Sequence, residues 1–212
     1  GDYLYEYAAE THAGFGPVRL HHPAHEIVTL ADYRTRYGRY RTDPNLRDAH
    51  AALPWVVVWD DHEFANNNWR DGAANHQPYE GDFHARRDAA MRAYYEWMPV
   101  RLSQTSEQGH IYRSFTFGDL VELTMMDLRS FRDEETTGDR FGEDSRTMLG
   151  EAQFKWVAEQ LQQSDARWDV LGNSVMVSPM RFVTIQNNKK ANIATGYMQE
   201  RATGIAVNSD QW

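Results

Sequence analysis

Apolar residues recur along this chain with two kinds of spacing, one typical of helices and one typical of strands. Helical spacing is clearest over roughly 30–42, where Thr29 and Asp32 stand as a capping box at the start and Pro44 ends the helix. Three more helices are predicted over 45–53, 83–97 and 150–163. The residues expected to face the core from the last helix are Phe154, Val157 and Leu161.

Consecutive apolar residues predict the strands. The run WVVVW at 55–59 is typical of a buried strand, and Gly118-Asp119 joins the strands predicted over 111–117 and 120–127 into a hairpin. A further strand is predicted over 168–177, polar loops over 68–82 and 130–148, and no firm element over 178–212. Helices that alternate with strands indicate an α/β layered fold. The hairpin favours a mixed sheet over a purely parallel one.

Composition narrows the class of protein. The chain has 212 residues, 41% hydrophobic and 25% charged, as in an ordinary globular domain. Its net charge of −9 comes without a basic stripe, which argues against a general nucleic-acid-binding surface. It does not argue against an enzyme for phosphate esters, because bound cations can reverse the local charge. The absence of cysteine excludes thiolate metal sites in this stretch, no apolar run is long enough to span a membrane, and no feature indicates a protein partner.

The strongest candidate chemistry directly follows the WVVVW run. In open α/β sheets, ligands bind at the carboxyl ends of strands. Hard cations take carboxylate and amide oxygens, and histidine serves transition metals or gives a proton to a leaving alkoxide. We therefore predict a metal or phosphoryl site, with a solvated acidic turn as the alternative. The side chains concerned are Asp60, Asp61, His62, Glu63, Asn66 and Asn67.

A second constellation opens the chain, in the sequence GDYLYEY. The carboxylate of Asp2 stands at a Gly-Asp turn, where both of its oxygens can bridge two metal ions and Gly1 lets the backbone bend. Tyr5 follows three residues later, within reach of the same ion, and Glu6 adds a further acid. The alternative is a turn followed by aromatic packing.

Other polar clusters leave two interpretations open. HHPAHE, over 21–26, is either a metal site or, as we expect, a surface histidine cluster. Asp127 and Arg129 follow an apolar strand, so Arg129 either binds a phosphoryl group or forms a structural pair with Asp127. Most of the arginines of the 83–97 helix, which are Arg86, Arg87 and Arg92, are expected to face solvent.

An apolar strand followed by DDHE also fits the Walker-B element of helicase-like ATPases. That interpretation requires a phosphate-binding G-x-x-x-x-G-K-[ST] loop upstream, and the chain contains none.

Taken together, the segments resemble the PhoD-type alkaline phosphatases, a branch of the calcineurin-like metallophosphoesterases. The similarity runs in the same order over nearly the whole chain, and no single motif carries it. The matching segments are GDYLYEY, TLADYRTRYGRYRTDPNLRDAHAALPW, VVVWDDHEFANNNW, RRDAAMRAYYEWMPVR, FTFGDLVELTMMDLRSFRD, RTMLGEAQFKWV and WDVLGNSVMVSPM.

This resemblance implies a four-layer α/β/β/α sandwich with mixed sheets and metal-assisted hydrolysis of small-molecule phosphate mono- or diesters. It implies iron and calcium, with zinc or manganese as alternatives, and export to the periplasm or medium. Asp2 matches the family's metal-bridging aspartate, Tyr5 its iron-binding tyrosine, and Asp61 a ligand of the second metal. His62 matches a histidine that contacts the phosphate or leaving group. Weaker candidates for calcium or phosphate contacts are Glu63, Asn66 and Asn67.

The chain departs from the family in lacking an upstream cysteine ligand and a downstream GD-x-H segment. We therefore expect residues 1–212 to be one partial catalytic domain, incomplete at both ends, within a longer protein. A non-catalytic phosphate- or sugar-binding module on the same scaffold is the alternative function.

Overall fold

The computed structural model describes residues 1–9, 19–101, 110–135, 145–175, 181–186 and 189–195, the last two ranges as backbone only. The helices are α1 (Leu30–Tyr40), α2 (Pro44–Ala52), α3 (Phe83–Trp97) and α4 (Glu151–Gln163), and a 3₁₀ turn covers Pro78–Glu80. The strands are β1 (Asn68–Trp69), β2 (Gly72–Ala73), β3 (Arg113–Phe117), β4 (Val121–Met125), β5 (Trp168–Gly172), β6 (Arg181–Gln186) and β7 (Lys189–Thr195).

The largest core lies between α1 and α3. The predicted capping box is confirmed: Thr29 accepts a hydrogen bond from the Asp32 backbone, and the Asp32 side chain accepts one from the Thr29 backbone. It starts α1 in an orientation that buries Tyr33 and Tyr37 completely. Trp59 completes this core, with Phe64, Tyr94 and Tyr95 packed edge-on around its ring at 5.2–5.7 Å. Such edge-to-face contacts are the favoured geometry of aromatic pairs.

The predicted hairpin and mixed sheet are confirmed. β3 and β4 are antiparallel and joined at Gly118, whose φ of +61° is in the left-handed region that turns of this kind require. β5 then pairs with β4 in parallel, which needs a crossover, and α4 supplies it. The three strands follow the order β3-β4-β5.

The prediction of a buried strand in a sheet over 55–59 is wrong. The segment is extended, but it has no ladder partner among the described residues, and Val56 is exposed. Its main-chain oxygens are used otherwise: Val57 accepts from the Arg113 guanidinium at 2.7 Å, and Val58 accepts from the nitrogen of Gly1 at 3.3 Å. Only Val58 and Trp59 of the run are buried.

The core face of α4 also differs from the prediction. Val157 is buried, but Phe154 and Leu161 are 64% and 41% exposed. The helix is rotated because Gln153 is buried and its side chain bonds both the backbone N–H and the C=O of Asp127. A polar side chain thus fixes the helix where periodicity alone pointed to Phe154.

Three further predictions are corrected. Pro44 begins α2 in addition to following α1, because its fixed φ suits the first turn of a helix. The 68–82 loop contains a short β1–β2 hairpin and the 3₁₀ turn. The region after 178 contains the antiparallel β6–β7 hairpin.

Some predictions concern residues outside the described ranges. Residues 176–177 of the predicted 168–177 strand and the 136–144 part of the second loop fall there. Within the described part of the chain, no helix is long and apolar enough to cross a membrane.

Loss of the α1 cap gives a stability test. We expect Thr29→Ala to lower the free energy of unfolding by about 1 kcal/mol, because it leaves an N–H of the first turn without its acceptor. Thr35→Ala is the matched control: the Thr35 hydroxyl donates to Ala31 inside the same helix, and its removal should change stability by less than about 0.5 kcal/mol. Urea unfolding measures both, and equal effects would contradict the role of the cap.

Candidate metal centre

The two predicted constellations meet in space. Asp2, Asp61 and His62 each offer one ligand atom, and these atoms lie within 4.8 Å of one another. The hydroxyl of Tyr5 donates to Oδ2 of Asp2 at 3.3 Å. Residues about sixty positions apart along the chain therefore face one another at a single site.

Close approach of the backbone brings Asp2 to this site. A Cβ at Gly1 would lie 2.7 Å from the Cβ of Asp60, so only glycine fits there. Asp2 itself has a φ of +42°, an uncommon conformation for a residue with a side chain. The buried carboxylate of Glu63 holds the segment by accepting from the backbone N–H groups of Tyr3 and Asp60.

Arg36 fixes the rest of the first segment. Its guanidinium is completely buried in α1 and donates to the main-chain oxygens of Tyr5 and Tyr7. The same group reaches the oxygens of the histidine-rich loop at His22, Pro23 and His25. Because most of these acceptors are backbone carbonyls, Arg36 sets the path of the chain on both sides of Glu6.

Asp61 is held in its ionised form. Burial alone would raise the pKa of Asp61, but Arg129, His62 and the backbone N–H of Asn67 outweigh burial and lower it. Arg129 is fully buried and donates from Nε to Asp60, with Nη2 3.5 Å from Asp61. The N–H of Asn67 lies 2.8 Å from Oδ2 of Asp61.

His62 is oriented by a second buried acid. Its Nδ1 lies 2.7 Å from Oε2 of the completely buried Glu6, and its Nε2 lies 4.0 Å from Asp61. Burial alone would lower the pKa of His62, but the hydrogen bond to Glu6 and the charges of Asp61, Glu6 and Asp2 raise it to about 9. The imidazole is therefore charged at neutral pH, with an N–H on each nitrogen.

The charge on Asp2 is only partly compensated by neighbouring groups. Burial, followed by the charges of Asp61 and Asp60, raises the pKa of Asp2 to about 6. Burial and the Asp2 charge likewise raise the pKa of Tyr5 to about 12. The two carboxylates and the phenol oxygen fit a hard or borderline cation, which would relieve this repulsion, and the His62 imidazole lies beside them.

Most predicted site residues lie here, but their contacts differ. Asp2, Tyr5, Asp61 and His62 face one another, whereas Glu63 accepts backbone N–H groups, including that of Tyr3. The backbone N–H groups of Asn66 and Asn67 donate to Glu6 and Asp61, respectively, and the Asn67 amide also donates to Glu135.

Arg129 and its neighbours require correction. Arg129 pairs with Asp60, while Asp127 accepts from the backbone N–H groups of Arg129 and Ser130, so the predicted Asp127–Arg129 side-chain pair does not account for either residue. Because Arg129 is completely buried behind the two aspartates, its contacts are those of a structural cation. Among the arginines of α3, most of which are expected to face solvent, Arg86 is buried and Arg92 is exposed.

The histidine cluster over 21–26 forms no metal site in the described part of the chain. His21 lies 3.0 Å from the carbonyl of Tyr7, and exposed His25 lies 3.1 Å from Asp32. This outcome agrees with the expected surface cluster.

The partners of Glu6 are not evident from the sequence. The acid stood in GDYLYEY, but nothing in the pattern assigned it to His62. Asn75 donates to Glu6 at 2.8 Å from a loop in which no motif distinguished it.

Comparison with known proteins shows which family, relative and solved structure the chain is similar to. The model of the PhoD-like phosphatase family matches residues 1–212. Alkaline phosphatase D of Bacillus subtilis (strain 168) is 41% identical over 198 residues, which cover 87% of this chain and 33% of that protein. A solved structure described as "Structure of PhoD" superposes with a TM-score of 0.73 at 41% identity, over 81% of this chain and 34% of that one.

The structural match confirms the predicted α/β metallophosphoesterase fold class. The chain spans about a third of the length of the curated relative that it matches.

Removing the Arg129 charge should expose the cost of burying Asp60 and Asp61. We expect Arg129→Met to lower the free energy of unfolding at pH 7 by about 3 kcal/mol or more, because two buried carboxylates lose their cation. The deficit should shrink as the pH falls, because buried carboxylates without Arg129 take up protons at a higher pH than they do in the wild type, where the pKa of Asp61 is lowered.

Arg47→Met, at an exposed arginine of α2, is the matched control and should change stability by less than about 0.5 kcal/mol. Chemical denaturation at several pH values provides the comparison. A deficit for Arg129→Met that is small, or that does not depend on pH, would contradict its role as counter-ion.

Proposed function

The chain belongs to the PhoD-like phosphatase family, and on this premise we propose that the full-length protein is a metal-dependent phosphoric ester hydrolase. Its substrates are small-molecule phosphate mono- and diesters. The observation that carries the proposal is the convergence of Asp2, Asp61 and His62 within 4.8 Å, with the Tyr5 hydroxyl beside Asp2. Phosphate transfer needs concentrated positive charge, and the oxygens of Asp2, Asp61 and Tyr5 would hold it, with the His62 imidazole beside them.

We propose iron and calcium as the metals, as the family resemblance implies, with zinc or manganese as alternatives. Asp2 and Tyr5 offer oxygen donors to one ion, and Asp2 and Asp61 offer them to a second. Asn66, Asn67 and Glu63 are the weaker candidates, and the Glu63 carboxylate already accepts the backbone N–H groups of Tyr3 and Asp60. Bound cations would neutralise the phosphoryl oxygens and lower the pKa of the attacking water.

The protein's own residues have distinct roles in this reaction. Asp2 and Asp61 would hold the cations, and buried Arg129 keeps Asp61 ionised. The oxygen of water attacks phosphorus, the bond from phosphorus to the alcohol oxygen breaks, and its electron pair goes to that oxygen. His62 gives the proton on Nε2 to the departing oxygen and regains a proton from solvent. The proton lost by the attacking water also passes to solvent, so the charges balance.

We further propose that residues 1–212 are part of one catalytic domain and that the full-length protein is exported. The family resemblance supports both statements. Fractionation of the native host separates exported from retained protein, and an exclusively cytosolic enzyme would contradict the second.

Loss of the metal ligands should abolish hydrolysis. In the full-length protein we expect Asp2→Ala and Asp61→Ala to lower kcat/KM for p-nitrophenyl phosphate and bis-p-nitrophenyl phosphate by at least about a hundredfold, together with the bound metal content. Asp48→Ala, at an exposed aspartate of α2, is the control and should leave both unchanged. Full activity with a full metal complement in the Asp2 and Asp61 variants would contradict the assignment.

A further inference from the structure

Glu6 is a completely buried carboxylate whose two oxygens have separate tasks. Oε2 lies 2.7 Å from Nδ1 of His62. Oε1 accepts two hydrogen bonds, from the backbone N–H of Asn66 at 2.7 Å and from the side-chain amide of Asn75 at 2.8 Å. The plane of the Glu6 carboxylate is therefore fixed at its far end by two amides, and this plane sets the orientation of the His62 ring.

Asn75 is itself anchored through its backbone. Its N–H donates to the carbonyl of Asn66 at 3.3 Å, and its carbonyl accepts from Nη1 of Arg86 at 2.9 Å. Arg86 belongs to α3, is buried, and also donates to the carbonyl of Ile27 and to Glu26, each at 2.9 Å. A continuous chain of hydrogen bonds therefore runs from the α3 core through Asn75 and Glu6 to His62.

An amide suits this position chemically. The Asn75 NH₂ group donates a hydrogen bond but does not titrate, so it supports Glu6 without competing for a proton. The hydrogen bond from Asn66 comes from its backbone and remains in any side-chain variant. Asn75 is therefore the donor to Glu6 that a side-chain substitution can remove. Without the Asn75 donor, the buried oxygen loses one of two partners, and the carboxylate can rotate away from Nδ1.

We propose that Asn75 is a positioning residue for the hydrolysis: it holds Glu6 so that His62 presents Nε2 to the departing oxygen. The inference rests on the proposed function and deepens it. Asn75 contacts no reacting atom and acts only through Glu6 and His62.

If Asn75 has this role, the effect of its substitution on the hydrolysis rate should depend on the pKa of the leaving alcohol. An alcohol of high pKa needs a proton as its bond to phosphorus breaks, whereas p-nitrophenol leaves readily as its anion. A misplaced His62 therefore slows esters of basic alcohols far more than esters of acidic phenols. A purely structural role for Asn75 would slow the whole series equally.

The test measures kcat for the full-length enzyme on phosphate esters that range from p-nitrophenyl to phenyl to alkyl. We expect Asn75→Leu, which keeps the shape but removes the donor, to lose about tenfold or more on the alkyl ester and less than about threefold on the p-nitrophenyl ester. Asn75→Ala should show the same steeper dependence of kcat on the leaving group. It replaces the leucine variant in the test if the leucine variant does not fold. Asn45→Leu, at an exposed amide of α2, should leave the dependence unchanged.

A double variant tests whether Asn75 acts through Glu6. Glu6→Gln should steepen the dependence at least as much as Asn75→Leu, and combining the two should add little, because both changes release the same imidazole. Equal losses across the series, or losses that multiply in the double variant, would overturn the role of Asn75. A wild-type enzyme that hydrolyses none of the esters would overturn the proposed function itself.

Discussion

Burial of negative charge is the constraint on which the rest of this structure depends. Glu6, Asp60, Asp61 and Glu63 are each at most 5% exposed, and Asp2 lies against them. An ionised carboxylate out of water is stable only when hydrogen-bond donors or cations surround it. Each of the four has such partners: His62 and two amides for Glu6, Arg129 for the aspartates, and backbone N–H groups for Glu63.

This arrangement explains local features that would otherwise be costly. Gly1 allows the backbone to approach Asp60, and Asn67 adopts a φ of +51°, where its N–H reaches Asp61. Strain of this kind persists where surrounding contacts over-determine the conformation. The raised pKa of Glu63, about 7, has the same origin, since burial is its largest cause. Donors held in fixed positions in this way suit the charge stabilisation that the proposed hydrolysis requires.

The structural features that are predicted correctly from the sequence are mostly set by residues adjacent to them in the chain. The Thr29 capping box, the Gly118 turn and the start of α3 at Phe83 each follow from a few adjacent residues. The convergence of Asp2 with Asp61 was also expected, although the run before Asp61 is not the regular strand on which that argument relied.

The features that are not evident from the sequence depend on partners distant in the chain. Gln153 rotates α4 through Asp127, and Asn75 supports Glu6 from 69 positions away. Periodicity does not encode such polar pairs, because one hydrogen bond between distant residues leaves no repeating pattern. For the same reason, the sequence does not distinguish buried Arg86 from the other arginines of α3, since its acceptors include the Ile27 carbonyl in a different segment.

The central claim is that Asp2 and Asp61 hold a cation whose charge completes this cluster. A crystal structure of the full-length protein, with diffraction recorded at the absorption edges of candidate metals, tests it most directly. We predict anomalous density roughly 2.0–2.6 Å from carboxylate oxygens of Asp2 and Asp61, with the Tyr5 oxygen turned toward it. Metal bound elsewhere in the protein, with these three side chains arranged as they are now, would contradict the account.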